Sequence, residues 1–183
     1  MAKKATLTDL KKHLRKMTQN ELVDEIANLY KKLSNVKEYY QSSLFDDDST
    51  VLSKYKKVVE QEFIATGRSF APKMRLSVAR KAISDYKKVS ISNEGIADIM
   101  LTYVEAGIDC TNEFGDIDEG FYSSMEGMYE DALDYMDKEG LINKFKDRLW
   151  DAVENTSGIG WCFHDTLSDL YDTYVGDGEE AEQ

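Results

Sequence analysis

The stretch Ile-Ala-Asp-Ile-Met-Leu-Thr-Tyr-Val-Glu-Ala-Gly (residues 96–107) decides the fold class. Its apolar residues recur with the period of an α-helix, at Ile96, Ile99, Met100, Tyr103 and Val104. A glycine inside a helix costs up to ~1 kcal/mol relative to alanine. We therefore predict an amphipathic helix through this stretch that kinks or ends at Gly107.

The same helical period recurs on both sides of this stretch. After it, one stripe consists of Phe121, Met125, Met128, Ala132 and Met136. Before it, helix starts are indicated by Thr6 with Asp9, Thr18 with Glu21 and Asn35 with Glu38, the spacing of a capping box. No segment alternates between apolar and polar residues as a strand does. We predict an all-α fold of eight or nine amphipathic helices, as a stack of helical hairpins or a compact orthogonal bundle.

Charge divides the 183-residue chain into two halves. Residues 1–90 carry a net charge of +8 and residues 91–183 a net charge of −20. We expect one helical domain over 1–175, with a basic half (1–90) and an acidic half (91–175), followed by a disordered acidic tail over 176–183. Basic side chains of the fifth helix are expected to face carboxylates of the acidic half: Arg75, Arg80, Lys81, Lys87 and Lys88.

Composition and cysteine spacing indicate a cytoplasmic setting. No run approaches the ~18 apolar residues of a membrane span, and no apolar segment follows the basic start that would make it a secretory signal. Cys110 and Cys162 lie far apart in the sequence and form no CxxC motif. We expect a cytoplasmic protein that does not enter a membrane, with both thiols reduced and not bonded to each other.

Motifs of common catalytic and metal sites are absent from the sequence. There is no HExxH, Glu-x-x-His, P-loop, GxGxxG or GxSxG, and the only histidines are His13 and His164. We therefore predict no cofactor, no metal and no catalytic residue, which favours a non-catalytic protein without excluding an enzyme.

Two segments nevertheless contain candidate binding residues. In the turn 115–120, Asp116, Asp118 and Glu119 offer oxygens to a cation, although their spacing departs from an EF-hand and favours capping of the next helix. In the loop 155–165, Gly158 and Gly160 precede Trp161, and the pair His164 and Asp165 follows. The candidate binding residues are Asp116, Asp118, Glu119, Trp161, His164 and Asp165.

The loop 155–165 has two interpretations. One is structural: a helix stop, a reversal at the glycines, and a tryptophan that anchors the last helix. The other is a pocket or partner groove walled by Trp161 and Phe163. In either case we predict that Trp161 is largely buried, while His164 lies nearer the surface, close to the acidic turn.

Three runs of sequence carry a resemblance to a known family: residues 75–88 (RLSVARKAISDYKK), 113–126 (EFGDIDEGFYSSME) and 155–167 (NTSGIGWCFHDTL). Together they resemble a family of small bacterial proteins catalogued only as a domain of unknown function, with a likeness over roughly 7–170. The resemblance implies a bacterial cytoplasmic setting and an all-helical fold, and it implies no activity. Residues 7–14 also resemble the two-helix start of SAP-type DNA-binding modules, without their glycine-bearing loop.

These observations favour a non-catalytic helical protein-interaction module with an unidentified protein partner. One alternative is a nucleic-acid-associated protein that uses the basic half. The other is a small-molecule or metal-binding enzyme that uses the segments 113–126 and 155–165. Whether these two segments meet at a concave pocket tests the last alternative, because an enzyme or small-molecule binder requires such a shared site. A salt-dependent gel shift tests the nucleic-acid alternative.

Overall fold

The computed structural model describes residues 4–45, 48–65 and 70–176, which form nine α-helices and no strand. In chain order the helices are α1 (Leu7–Leu14), α2 (Gln19–Lys32), α3 (Ser34–Phe45), α4 (Ser49–Glu60), α5 (Leu76–Tyr86), α6 (Asn93–Phe114), α7 (Glu119–Lys138), α8 (Ile142–Glu154) and α9 (Phe163–Val175). The all-α prediction is confirmed. Of the expected acidic tail, residues 177–183 lie outside the described residues.

Side-chain caps define several helix starts. Thr6 and Thr18 form complete capping boxes with Asp9 and Glu21, as the spacing predicts. The predicted start of α3 at Asn35 is wrong, because the helix begins at Ser34. Glu38 instead accepts a hydrogen bond of 2.6 Å from the Tyr55 hydroxyl, which connects α3 to α4.

Helix α6 is the centre of the packing. Thirteen of its 22 residues are buried, and it contacts α4, α5, α7 and α8. The buried ring of Phe63, just after α4, meets Tyr103 of α6 edge-on at 5.2 Å. A helix that is apolar on most of its surface must be enclosed by others, and these neighbours enclose it.

Gly107 has a packing role within α6. The helix continues through Gly107 to Phe114, so the predicted helix end there is wrong. A Cβ at position 107 would lie 2.2 Å from Sδ of the buried Met125 in α7. The glycine therefore leaves room for the Met125 side chain of α7 against the backbone of α6.

The two charged halves pack together, although not through the predicted ion pairs. Nζ of Lys56 on α4 lies 3.0 Å from a carboxylate oxygen of Asp98 on α6. On α5, Arg80 donates instead to the Ser124 hydroxyl (3.0 Å) and carbonyl oxygen (2.7 Å) of α7. Other basic residues of this region pair within the basic half: Arg75 with Glu62, and Lys81 and Lys88 with Asp85. The expected fifth-helix pairing with carboxylates of the acidic half is therefore wrong for Arg75, Arg80, Lys81 and Lys88. Lys87 does face the acidic half, with its ammonium over the Tyr135 ring of α7 and attracted by the Asp131 carboxylate.

The two cysteines have different environments and are not bonded to each other, as predicted. Cys110 is buried on α6, whereas Cys162 is exposed before α9. Burial, together with the nearby Glu113 carboxylate, raises the pKa of the Cys110 thiol to about 11. Among the described helices, none combines the length and the apolar character that a membrane crossing needs.

Helices α1 and α2 lie outside the packed core. Neither of them contains a buried residue. Helix α2 contacts α3, which in turn contacts α4. Apolar residues of these first helices, such as Leu10 and Ile26, are thus exposed and not part of the core around α6.

Two glycine substitutions test the close approach of α6 and α7. We expect Gly107→Ala to lower the free energy of unfolding by ~1–3 kcal/mol, because overpacking outweighs the gain in helix propensity. Gly127→Ala on α7 is the matched control, since the nearest atom to its new Cβ is Arg80 Nη2 at an ordinary 3.8 Å. We expect that control to stabilise by up to ~1 kcal/mol in urea unfolding. Equal stabilisation by both substitutions would contradict the packing described.

Candidate functional site

The acidic turn 115–120 joins α6 to α7, and its three carboxylates have different surroundings. Gly115 ends α6 with a φ of 86°, a left-handed conformation that suits glycine. Oδ1 of Asp118 accepts from the backbone N–H of Phe121 at 2.9 Å and caps α7. Glu119 is exposed in the first turn of α7. The capping interpretation is therefore confirmed for Asp118.

Asp116 connects the acidic turn to the loop before α9. Its Oδ1 accepts a hydrogen bond of 2.8 Å from the Tyr122 hydroxyl, and its Oδ2 accepts one of 3.2 Å from Nε1 of Trp161. Burial and the Asp116 carboxylate both raise the pKa of the Tyr122 phenol. The phenol consequently remains a neutral donor at physiological pH.

Trp161 is held in an uncommon backbone conformation at the surface. Trp161 and Cys162 have φ values of 63° and 56°, in the left-handed region that costs ~1–2 kcal/mol for a residue with a Cβ. The indole stacks on the Tyr122 ring, with centroids 6.2 Å apart and planes at 27°. Stacking, the Asp116 hydrogen bond and the backbone conformation together fix its orientation.

The prediction that Trp161 is largely buried is wrong, because 52% of its surface is exposed. The buried aromatic residue is Phe163, whose ring lies 5.2 Å from Tyr122. The left-handed residues 161 and 162 turn the chain into α9, so that the first residue of the helix reaches the core while the tryptophan stays outside. Phe163, together with Leu167, therefore anchors the last helix.

His164 is half-buried and connects α9 to the end of α8. Its Nδ1 lies 2.9 Å from the Thr156 hydroxyl and 3.2 Å from the carbonyl oxygen of Val153. The Thr156 hydroxyl donates to that same carbonyl at 2.5 Å, so Nδ1 of His164 is the donor in this group. Trp161, and not His164, is the side chain that reaches the acidic turn. Asp165 is exposed in the first turn of α9.

The two candidate segments meet at a hollow of about 320 Å³, here called the Asp116 hollow. It is lined by Thr111, Asn112, Gly115, Asp116, Tyr122, Ser157, Gly158, Ile159 and Gly160. Of the candidate residues, Asp116 lines the hollow and Trp161 adjoins it through their hydrogen bond. Asp118, Glu119, His164 and Asp165 do not line it.

Sequence reasoning missed Tyr122 and Thr111, whose hydroxyls lie 2.7 Å apart at the base of the Asp116 hollow. The apolar stripe of α7 places Tyr122 in the core, and it does not reveal that the phenol oxygen reaches the acidic turn. Within the described residues, no three His, Cys, Asp or Glu side chains gather in a way that would hold a metal ion. The hollow thus offers a carboxylate and hydroxyl groups beside an aromatic surface.

Comparison with known proteins identifies a family for this chain. A family model described as a "Family of unknown function (DUF6155)" matches residues 2–175. No curated protein and no solved structure matches the chain.

Two aromatic substitutions separate the anchoring residue from the exposed one. We expect Phe163→Ala to reduce the free energy of unfolding by ~3–5 kcal/mol, because it empties a buried position. Trp161→Ala removes a half-exposed stacked ring and should cost only ~1 kcal/mol. Urea unfolding of both variants measures the difference, and a Trp161→Ala loss as large as that of Phe163→Ala would contradict these assignments.

Proposed function

The chain belongs to DUF6155, a family of unknown function, and from the geometry of its site we propose that it is a non-catalytic protein-interaction module. Its docking surface is the Asp116 hollow with the adjoining Trp161 indole. The partner contributes a basic side chain, arginine or lysine, that reaches the Asp116 carboxylate.

The observation that carries this proposal is an exposed tryptophan in a fixed orientation. Trp161 is half exposed, and yet it is stacked on Tyr122 and hydrogen-bonded to Asp116. Tryptophan is enriched among the residues that dominate interface energies. A side chain that is already ordered loses little conformational entropy on binding, which favours affinity.

Charge around the tryptophan favours a basic partner. Asp116 accepts a hydrogen bond from the indole, Asp118 and Glu119 follow it in the acidic turn, and Asp165 lies four residues after Trp161 in the sequence; all four are exposed. Each oxygen of Asp116 accepts one hydrogen bond, whereas a carboxylate has about four acceptor sites, so a guanidinium can add further bonds. A cation beside Asp116 also gains attraction to the face of an indole within about 6 Å.

The lining of the Asp116 hollow favours binding over catalysis. Its hydroxyl groups belong to Thr111, Tyr122 and Ser157, and no histidine lines it. Nucleophilic catalysis by a hydroxyl needs a base that takes its proton. The Asp116 carboxylate lies 2.8 Å from the Tyr122 hydroxyl, but burial raises the pKa of that phenol, so the proton stays on the phenol oxygen. Nδ1 of His164 is already engaged by Thr156 and Val153.

Ion pairing also favours a protein partner over nucleic acid. Five cations of the basic half form ion pairs with carboxylates in the structure: Lys54, Lys56, Arg75, Lys81 and Lys88. Nucleic-acid binding depends on cations that replace the counterions of the phosphates. A cation that is already paired with a carboxylate of the protein contributes less to this replacement of counterions.

Calorimetric titration with a short Arg-Gly repeat peptide tests the proposal at ~150 mM salt, where weak surface attraction is screened. We expect Trp161→Ala and Asp116→Asn each to weaken binding by ~10-fold or more, since both remove a central contact.

Trp150→Ala is the matched control for this titration. Trp150 is 40% exposed and contacts the Tyr171 ring at 5.2 Å. Asp147 lies three residues before it in the sequence, and Asp151 directly follows it. We expect that control to bind as the native chain does. Absence of binding by the native chain, or an equal loss in all three variants, would overturn the proposal.

A further inference from the structure

The exposed apolar side chains of this protein are concentrated in its first three helices. Nine of the fifteen large apolar side chains that are exposed in the described residues lie between positions 7 and 44. They are Leu7, Leu10, Val23, Ile26, Leu29, Tyr30, Leu33, Tyr39 and Leu44. Such a concentration on a surface outside the core is typical of an interaction site.

Helix α2 carries the most regular part of this surface. Leu22, Ile26 and Leu29 of α2 and Leu33, the residue directly after its end, have a 4–3–4 spacing, which is the spacing of the contact line between two coiled helices. Val23 and Tyr30 widen this line on one side, and both are exposed. We call these six residues the α2 stripe. Helix α3 packs beside this line, where the Tyr30 and Tyr40 rings meet edge-on at 6.3 Å, and yet Ile26, Leu29 and Leu33 remain 39–44% exposed.

The charges of α2 are separated along its length. Glu21, Asp24 and Glu25 lie in its first half, whereas Lys31 and Lys32 end it. Two copies of such a helix attract each other when they run antiparallel, because the acidic end of each meets the basic end of the other. When they run parallel, like charges face each other.

We infer that two copies of this chain associate through α2, antiparallel about a two-fold axis near Ala27 and Asn28. The stripe then pairs Ile26 with Leu29 of the second copy, and Leu22 with Leu33 of the second copy. Glu25 borders the stripe and faces Lys32 of the second copy, and the two-fold axis repeats this pair. The inference rests on a different surface from the Asp116 hollow.

Other classes of partner fit α2 less well. An anionic lipid surface or a nucleic acid requires a cationic helix. Helix α2 instead has three acidic residues and two lysines, and its acids occupy a full end of the helix. A second copy matches both its apolar spacing and its charge order.

Sedimentation equilibrium of the full chain over a range of protein concentrations tests this inference. We expect a dimer for the native chain. Glu25→Lys and Lys32→Glu each place like charges opposite each other at two symmetric positions, which should weaken dimerisation by ~10-fold. The double variant Glu25→Lys with Lys32→Glu restores both pairs with exchanged signs and should dimerise as the native chain does.

Asp24→Lys and Lys31→Glu are the matched controls. These residues carry the same charges at the same seven-residue separation, on the opposite face of the helix from the stripe. We expect both to dimerise normally, and Ile26→Asp to be monomeric with the circular dichroism of the folded chain. A monomeric native chain, or a double variant that stays as weak as the single ones, would overturn the inference.

Discussion

The enclosure of α6 is the constraint on which the rest of the structure depends. Its buried residues lie on most of its circumference, so α4, α5, α7 and α8 must surround it. At the contact with α7, the sulfur of Met125 occupies the space that a side chain at Gly107 would fill. Once α6 and α7 are joined in this way, the acidic turn between them has a fixed position. This turn then places Asp116 beside Tyr122 and Trp161.

Polar contacts specify how the surrounding helices meet. Asp48, before α4, accepts hydrogen bonds from the hydroxyls of Ser42, Tyr86 and Ser90, which brings α3 and α5 to the start of α4. Arg148 of α8 pairs with Asp98 and Glu105 of α6. Removing one member of such a partly buried group leaves its partners without a hydrogen bond, which costs more than the net value of the bond itself. These groups therefore select one arrangement among the several that apolar stripes alone permit.

The sequence predicts the helices of this chain well because helix formation leaves a local signal. Capping at Thr6, Thr18 and Asp118 and the stripes of α6 and α7 are all visible as short-range patterns. The role of Gly107 is not visible, because it depends on Met125, which comes from another helix. Propensity alone treats that glycine as a helix breaker, whereas tertiary contact makes it a requirement.

The candidate site shows the same limit. Proximity of the acidic turn to the loop before α9 follows from tertiary packing, and so does the participation of Tyr122. The sequence pattern favours a buried tryptophan. In the structure, the left-handed backbone at residues 161 and 162 directs Phe163 into the core and leaves Trp161 half exposed. Backbone conformation of this kind at residues other than glycine has no reliable local signal.

Hydrogen exchange of the backbone amides tests the central position of α6 most directly. Amides that exchange only through global unfolding mark the structural core of a protein. The account predicts that the slowest-exchanging amides lie in the segment 99–108 of α6 and in the facing part of α7, and that those of α1 exchange through local opening. Slowest exchange in α8 and α9, with α6 opening independently of them, would contradict it.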